Sequence, residues 1–315
     1  MKKLFLGLML PILILFQLSV AQGEGKLASW IDYWRNATVA IGRIQEAEVK
    51  QSDGKILKKK IFVIVGTGVI LGFPEDASKT PWLVTAKHVF FDPSKKWEPD
   101  NLQIRFSWFD ERAVDEYLGI RIDLKKDGKK LWVAHPTNNV DLACVPLVVS
   151  KEEAGRDEAP GVPIENFATA VDIFEGAPVI VLGYPGAVGP SFWSRAIARQ
   201  GIISWVSPNK PELNLLLIDS NVFPGNSGGP VFKLPTGTDR HGNFVVGGKV
   251  AFLGIISEGR TQELPLTAGG KEIQIQGEKG PQTLLSANFI GIGVVEPAAR
   301  VKELLSEAAK SATQR

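Results

Sequence analysis

The sequence predicts an all-β fold, a barrel or sandwich, on three observations. Short runs rich in Val, Ile, Leu and aromatic residues recur along the 315 residues. Gly, Pro, Asn and Asp interrupt those runs at short intervals. No long helical pattern alternates with them, which argues against a doubly wound parallel sheet.

The elements follow in chain order. Residues 1–21 open with Lys2 and Lys3, continue with an apolar run from Leu4 to Phe16, and end in Ser19-Val20-Ala21. That is the layout of a secretory signal peptide, and the apolar run is short for a bilayer core of about 30 Å. No later segment is apolar for long enough to span, so an exported chain without a stable membrane anchor is expected. "LASWIDYWRNA" then places Leu27, Trp30, Ile31 and Trp34 on one helical face. Docking on the β-structure is the first reading of that face, and a homo-oligomer contact through Trp30 and Trp34 the second. "ATVAIGRI", "KIFVIVGTGVIL", "WLVTA", "LQIRFSWF", "LGIRIDL", "LWVAH" and "LACVPLVV" read as strands of a first lobe over 22–150. The polar, Gly- and Pro-containing stretch 151–168 reads as a linker. "APVIVLGY", "ARQGIISWV", "LNLLLIDS", "GPVFK", "KVAFLGIIS" and "NFIGIGVV" give a second lobe over 169–296. A closing helix over 297–315 starts at Pro297 and aligns Val301, Leu304, Leu305 and Ala308.

Charge and cysteine content narrow the function. Loss of the leader removes two of 36 cations and none of 34 anions, leaving a chain near neutrality. Proteins that grip nucleic acid carry a basic surplus, so nucleic acid is not an expected partner. Lys55, Lys58, Lys59 and Lys60 form the notable basic run, read as a solvated strand edge. The single cysteine, Cys144, allows no internal disulfide, so an exported chain must rely on its core for stability. His88, His135 and His241 show no recognisable metal-ligand spacing, so neither a metal nor a cofactor is expected.

The chemistry concentrates in "FPGNSGGPVF", residues 223–232. As G-x-S-x-G it could be the nucleophile elbow of an α/β-hydrolase, which requires Ser, acid and His in that chain order and a helix after the serine. His241 is the sole histidine after Ser227, fourteen residues on in a hairpin-like segment, and strand-like "GPVFKL" follows the serine. That reading fails. The order His, Asp, Ser has candidates at His88 in "WLVTAKHVFF", Asp141 in "HPTNNVDLACVPL" and Ser227. Asp123, Asp127 and Asp172 also lie between His88 and Ser227.

"GTGVIL", "LVTAKHV", "DLACV", "GYPG", "DSNVFPGNSGGPVF" and "LGIIS", in that order, resemble the trypsin-like serine peptidases. The likeness runs from Val39 to Val295 and leans to the bacterial branch that includes the HtrA-type proteases. It implies two six-stranded antiparallel β-barrels with the active site in the cleft between them. Twenty residues follow Val295, so the expectation is a member of that branch without a PDZ domain. With export and no disulfides, the resemblance implies a bacterial periplasmic or secreted protein.

A serine hydroxyl needs a neighbouring base to become a nucleophile, and an imidazole titrating near pH ~6.5 suits that task. In this reading His88 takes the proton of Ser227 and Asp141 orients the imidazole. The backbone N–H groups of Gly225 and Ser227 would form the oxyanion hole, with Gly225 and Gly228 supplying backbone freedom. Asn226 stands where many digestive relatives carry an aspartate that pairs with a new N-terminus, so no activating cleavage beyond leader removal is expected. By resemblance, Asn221 sits at the base of the primary pocket, and Ser257, Glu258 and Gly259 form the strand that pairs with a polypeptide substrate. A small or medium apolar P1 side chain is the expectation, with Glu258 and Arg260 as subsite residues or a solvated rim. The reading is thus a serine endopeptidase; its rival is a catalytically silent binding module on the same fold.

Overall fold

The computed structural model describes residues 30–50, 54–72, 81–107, 119–148, 161–268, 271–277 and 280–313. The expected signal peptide lies outside the described residues.

A first lobe begins with helix α1 (Trp30–Asn36) and a long antiparallel ribbon, β1 (Thr38–Lys50) with β2 (Ile56–Gly72). The ribbon runs in register from Thr38↔Val69 to Lys50↔Ile56, with one bulge between Ile41 and Gly42. Both strands are rich in Val, Ile and Thr, which suits a pleated surface. The Lys58–Lys60 run lies on a solvated strand edge as expected: it is exposed and pairs only with β1, since the other partners of β2 reach no further than Val69–Gly72. Glu48 faces Lys58 and Glu46 faces Lys60, so opposite charges meet across the ribbon.

The lobe continues with β3 (Trp82–Thr85), the one-turn helix α2 (Lys87–Phe90), β4 (Asn101–Phe106), β5 (Ile120–Asp123), β6 (Val133–Ala134) and β7 (Ala143–Pro146). The spatial order is β5-β4-β1-β2-β3-β7-β6. A further strand, β8 (Val162–Pro163), comes from the expected linker and pairs parallel with β2 at Leu71. This lobe is a curled half-barrel of eight strands where six in a closed ring were expected. Inside it lie Val39, Ile41, Ile70, Leu83, Phe90, Leu102, Ile104 and Phe106, all buried.

The second lobe closes into a six-stranded barrel. Its members are β9 (Pro178–Gly183), β10 (Ile197–Val206), β11 (Leu216–Asp219), β12 (Pro230–Lys233), β13 (Ala251–Pro265) and β14 (Leu285–Pro297). The ring runs β9-β10-β11-β14-β13-β12. Closure leaves no free edge within the ring. Val179, Val181, Ile203, Ile218, Val231, Leu253 and Ile256 fill it.

A third apolar cluster joins the lobes. Helix α3 (Ala298–Thr313) presents Val301, Leu304, Leu305 and Ala308, the stripe expected from spacing, and all four are buried. Trp34 joins the same cluster, its ring centroid 4.5 Å from that of Phe232. The expected oligomer contact therefore loses Trp34, which is 6% exposed and used inside its own chain. The Trp30 side chain lies outside the described residues. The overall architecture is mostly strand, two lobes with one closing helix, consistent with the chymotrypsin-like fold. No helix among the described residues is long and apolar enough to cross a membrane.

Candidate active site

Strand register brings His88 to Asp141. β3 and β7 pair antiparallel with Thr85 opposite Ala143, and the ladder extends one step to Lys87 N–H donating to Asp141 O at 3.1 Å. His88 follows Lys87 in the first turn of α2, so its ring stands beside the Asp141 carboxylate. His88 Nδ1 lies 2.7 Å from Asp141 Oδ2, and His88 N–H donates to Oδ1 at 3.1 Å. The carboxylate thus grips ring and backbone of the same residue. The other aspartates considered from sequence are engaged elsewhere: Asp123 with Arg121, and Asp172 with Thr169 and Lys233. Asp127 sits in the left-handed region at φ 50°, in the tight turn after β5.

Ser227 comes from the other lobe, in the turn leading into β12. Gly225 and Gly228 have φ of 96° and 87°, angles that side chains resist. A β-carbon on Gly228 would also collide with Thr67 O and Thr85 Oγ1. The turn is bonded from within and from β13 of its own lobe. Asn226 N–H donates to Phe223 O at 3.0 Å, Gly229 N–H to Asn226 O at 2.8 Å, and Gly228 N–H to Ile256 O at 2.7 Å.

Two donors stay uncommitted. Among the described residues, the N–H groups of Gly225 and Ser227 donate to no protein atom. Their peptide planes are nevertheless held. Pro224 O accepts from Gly186 N–H at 3.0 Å, and Asn226 O from Gly229 N–H. In a trans peptide the N–H points opposite the carbonyl, so each anchored oxygen aims the following N–H the other way. Gly225 and Ser227 both line the inter-lobe cleft, a space of about 630 Å³ shared with His88 and Asp141.

The structure therefore gathers His88, Asp141, Ser227, Gly225, Ser257, Glu258 and Gly259 at one cleft. No hydrogen bond joins Ser227 Oγ to His88 among the described residues, a looseness common before substrate arrives. Asn221 departs from expectation: it is exposed and does not line the cleft, and its carbonyl is held by the Arg199 guanidinium. Ser220 N–H donates to Gly291 O, which ties this stretch to β14. The apolar wall comes from Phe223, Phe289, Leu215 and Val294, with Phe223 and Phe289 edge-on at 5.8 Å. Glu258 and Arg260 pair at 3.1 Å with both side chains half exposed, a solvated rim.

Two residues at the site escaped sequence reasoning. Thr67, buried between Gly66 and Gly68, donates its hydroxyl to Gly225 O at 2.6 Å and its N–H to Ser227 O at 2.8 Å. Its signal was a hydroxyl inside an apolar strand pattern. Glu296 is 4% exposed, and its Oε1 accepts the Asp141 N–H at 2.9 Å. Its signal was a carboxylate closing the apolar run "GIGVVEP". Burial pushes the Glu296 carboxyl above its ordinary range, with the nearby Asp141 charge adding to it. Asp92, also at the cleft, is held at about 2 by the Ser94 hydroxyl and the Lys95 ammonium.

His135, His241 and Cys144 do not line the cleft. His135 is buried, takes the Thr137 N–H on Nδ1 at 3.1 Å and faces Glu303 Oε2 with Nε2 at 3.1 Å. His241 sits at an exposed turn, and burial raises the Cys144 thiol out of reactivity. No cluster among the described residues could hold a metal ion. A second cavity of about 500 Å³, walled by Trp205, Asn209, Asn214 and Arg300, adjoins the cleft and shares Asn139, Leu215 and Glu296 with it.

A β-rich, two-lobed chain with Ser, His and Asp at the inter-lobe cleft defines a class, the chymotrypsin-like proteins. Residues 66–238 match the family model described as the trypsin-like peptidase domain. The chain belongs to that family. Among solved structures it is similar to one described as the HtrA-type protease AlgW, an alanine variant with a decapeptide. The two are 17% identical with a TM-score of 0.42, over 88% of this chain and 65% of that one. The chain thus spans somewhat under two thirds of that protein's length. No curated protein matches it in sequence.

Proposed function

We propose that the protein is an exported serine endopeptidase that cleaves peptide bonds with Ser227, His88 and Asp141. The observation that carries this is the cleft itself: it holds Ser227 together with a histidine whose Nδ1 is tied at 2.7 Å to a carboxylate. With Nδ1–H donated to Asp141, Nε2 of His88 carries the lone pair. It takes the Ser227 proton as Oγ attacks the scissile carbonyl, and the resulting imidazolium is stabilised by Asp141, which keeps its own charge. The carbonyl oxygen becomes an oxyanion and is received by the Gly225 and Ser227 N–H groups. Such donors are worth about 3–4 kcal/mol of barrier each, because they are fixed before charge develops. His88 then protonates the leaving amine, the acyl-enzyme forms, and a water activated by the same imidazole releases the acid.

The apolar wall of Phe223, Phe289, Leu215 and Val294 supports an apolar P1 residue, and Ser257 to Gly259 would pair with the substrate backbone. Export rests on the signal-peptide layout of residues 1–21, and sequencing the N-terminus of protein recovered outside the cytoplasm checks it. For the chemistry, the purified protein is treated with a fluorophosphonate probe and the adduct located by peptide mass spectrometry. The expected adduct is on Ser227, absent from Ser227→Ala and from His88→Ala. A folded protein that stays unlabelled would sink the endopeptidase reading.

A further inference from the structure

We propose that Glu296 is a positioning residue for this reaction: reaching from the second lobe, its carboxyl oxygen holds the Asp141 backbone N–H and so sets where the Asp141–His88 pair stands relative to Ser227. The proposal rests on the endopeptidase reading above.

His88 and Asp141 belong to the first lobe and Ser227 to the second. The productive approach of Oγ to Nε2 therefore depends on how the lobes are registered. On the serine side, Thr67 N–H of the first lobe bonds Ser227 O of the second at 2.8 Å. On the acid side, the counterpart bond is Asp141 N–H to Glu296 Oε1 at 2.9 Å. The Asp141 carbonyl already accepts from Lys87, and its carboxylate is committed to His88. Glu296 thus completes the fixing of Asp141 at its one remaining backbone group. Polar links thus join the lobes beside each half of the machinery, through Thr67 on the serine side and through Glu296 on the acid side.

The placement of Glu296 carries a cost that a purely structural site would avoid. It follows buried Val294 and Val295 in β14 and is itself 4% exposed, where an apolar side chain would pack without desolvating a carboxylate. The groups that face it are the Asp141 carboxylate, Lys87 beside His88, and Arg300 of α3. Asp141 raises its carboxyl further while the two cations lower it. Glu296 also stands in the wall shared by the cleft and the adjoining cavity, so a small solute has a route to it.

The test compares Glu296→Leu, which removes the acceptor, with Glu296→Gln, which keeps an oxygen able to accept the same N–H. Thermal unfolding shows that each is folded. The readout is acylation of Ser227 by the fluorophosphonate probe, resolved into maximal rate and half-saturation. Displacing a general base by a fraction of an ångström typically costs ~10-fold or more in rate, so Leu is expected to lower the maximal rate by that factor with half-saturation little changed. Gln is expected to recover most of it. Equal rates for Leu and wild type overturn the proposal, as does a Gln variant as slow as Leu. Should Leu not fold, Glu296→Ala replaces it: acetate added to the assay restores the rate if a missing acceptor is the cause, and failure to restore it overturns the idea. A wild-type protein that is not acylated removes the endopeptidase reading and the proposal together, an outcome distinct from the others.

Discussion

At Thr67 four groups meet. Its hydroxyl donates to Gly225 O and accepts from Tyr184 N–H, its N–H donates to Ser227 O, and its carbonyl accepts from Thr85 Oγ1. Thr67→Val keeps the shape and removes the hydroxyl, which strands Gly225 O and the buried Tyr184 N–H. Each stranded group costs about 1–3 kcal/mol, so with two of them denaturant unfolding should show a loss of about 2–6 kcal/mol. Probe labelling of Ser227 should fall as well, because the Gly225 peptide loses its anchor. Gly228→Ala should be strongly destabilising, since the added carbon meets two oxygens and the backbone angle is unfavourable to a side chain. Failure to recover folded Gly228→Ala protein, with Gly242→Ala recovered normally, is the expected pair of outcomes. Gly242 has a positive φ too, yet opens on empty space. The glycines around Ser227 were legible in sequence because their demand is local. Thr67 was not, because its partner Gly225 stands 158 residues away.

At the scale of elements, α3 is fastened to the first lobe by His135 and Glu303 as well as by its apolar stripe. Burial depresses the His135 imidazole, outweighing the pull of Glu303 in the other direction. As pH falls through about 6.5, the unfolded chain takes up this proton before the folded one does. Stability from this site is therefore complete above that pH and is lost as pH falls towards the depressed folded value. Glu296 has the opposite sign. Its raised carboxyl means that the unfolded chain ionises first as pH climbs past about 4.3, so its contribution is complete below that pH and lost as pH rises through the folded value. Melting temperatures measured from about pH 7.5 down to 5.5 should fall less in His135→Gln than in wild type. Glu296→Gln should instead remove a loss of stability on the alkaline side. Element placement was largely readable: the α3 stripe and the strands flanking His88 and Asp141, β3 before the one and β7 after the other, follow from the sequence pattern. The 2.7 Å contact between those two residues was not, since it depends on β3 pairing with β7.

Across the whole molecule, three apolar clusters divide the work, and the one between the lobes decides their relation. Leu304 is fully buried there, on a helix that touches both lobes. Leu304→Ala is expected to cost about 2–5 kcal/mol, the range for truncating a buried leucine. Because the cluster is shared, probes placed in either lobe should report one shifted transition; two separate transitions would mean that the lobes unfold independently. A chain with one cysteine has no covalent staple to hide such a loss.

Sequence alone determined the β-rich class, the two sets of strands and the closing helix, and it offered His88, Asp141 and Ser227 as candidates. These depend on spacing, backbone freedom and residue chemistry, all of which act within a few neighbours. Tertiary structure decided that the first lobe is a half-barrel, that Asn221 stays outside the cleft, that Trp34 is spent in the core, and that Thr67 and Glu296 support the site. Each of those depends on which distant strand lies alongside, and no local pattern records a partner a hundred or more residues away.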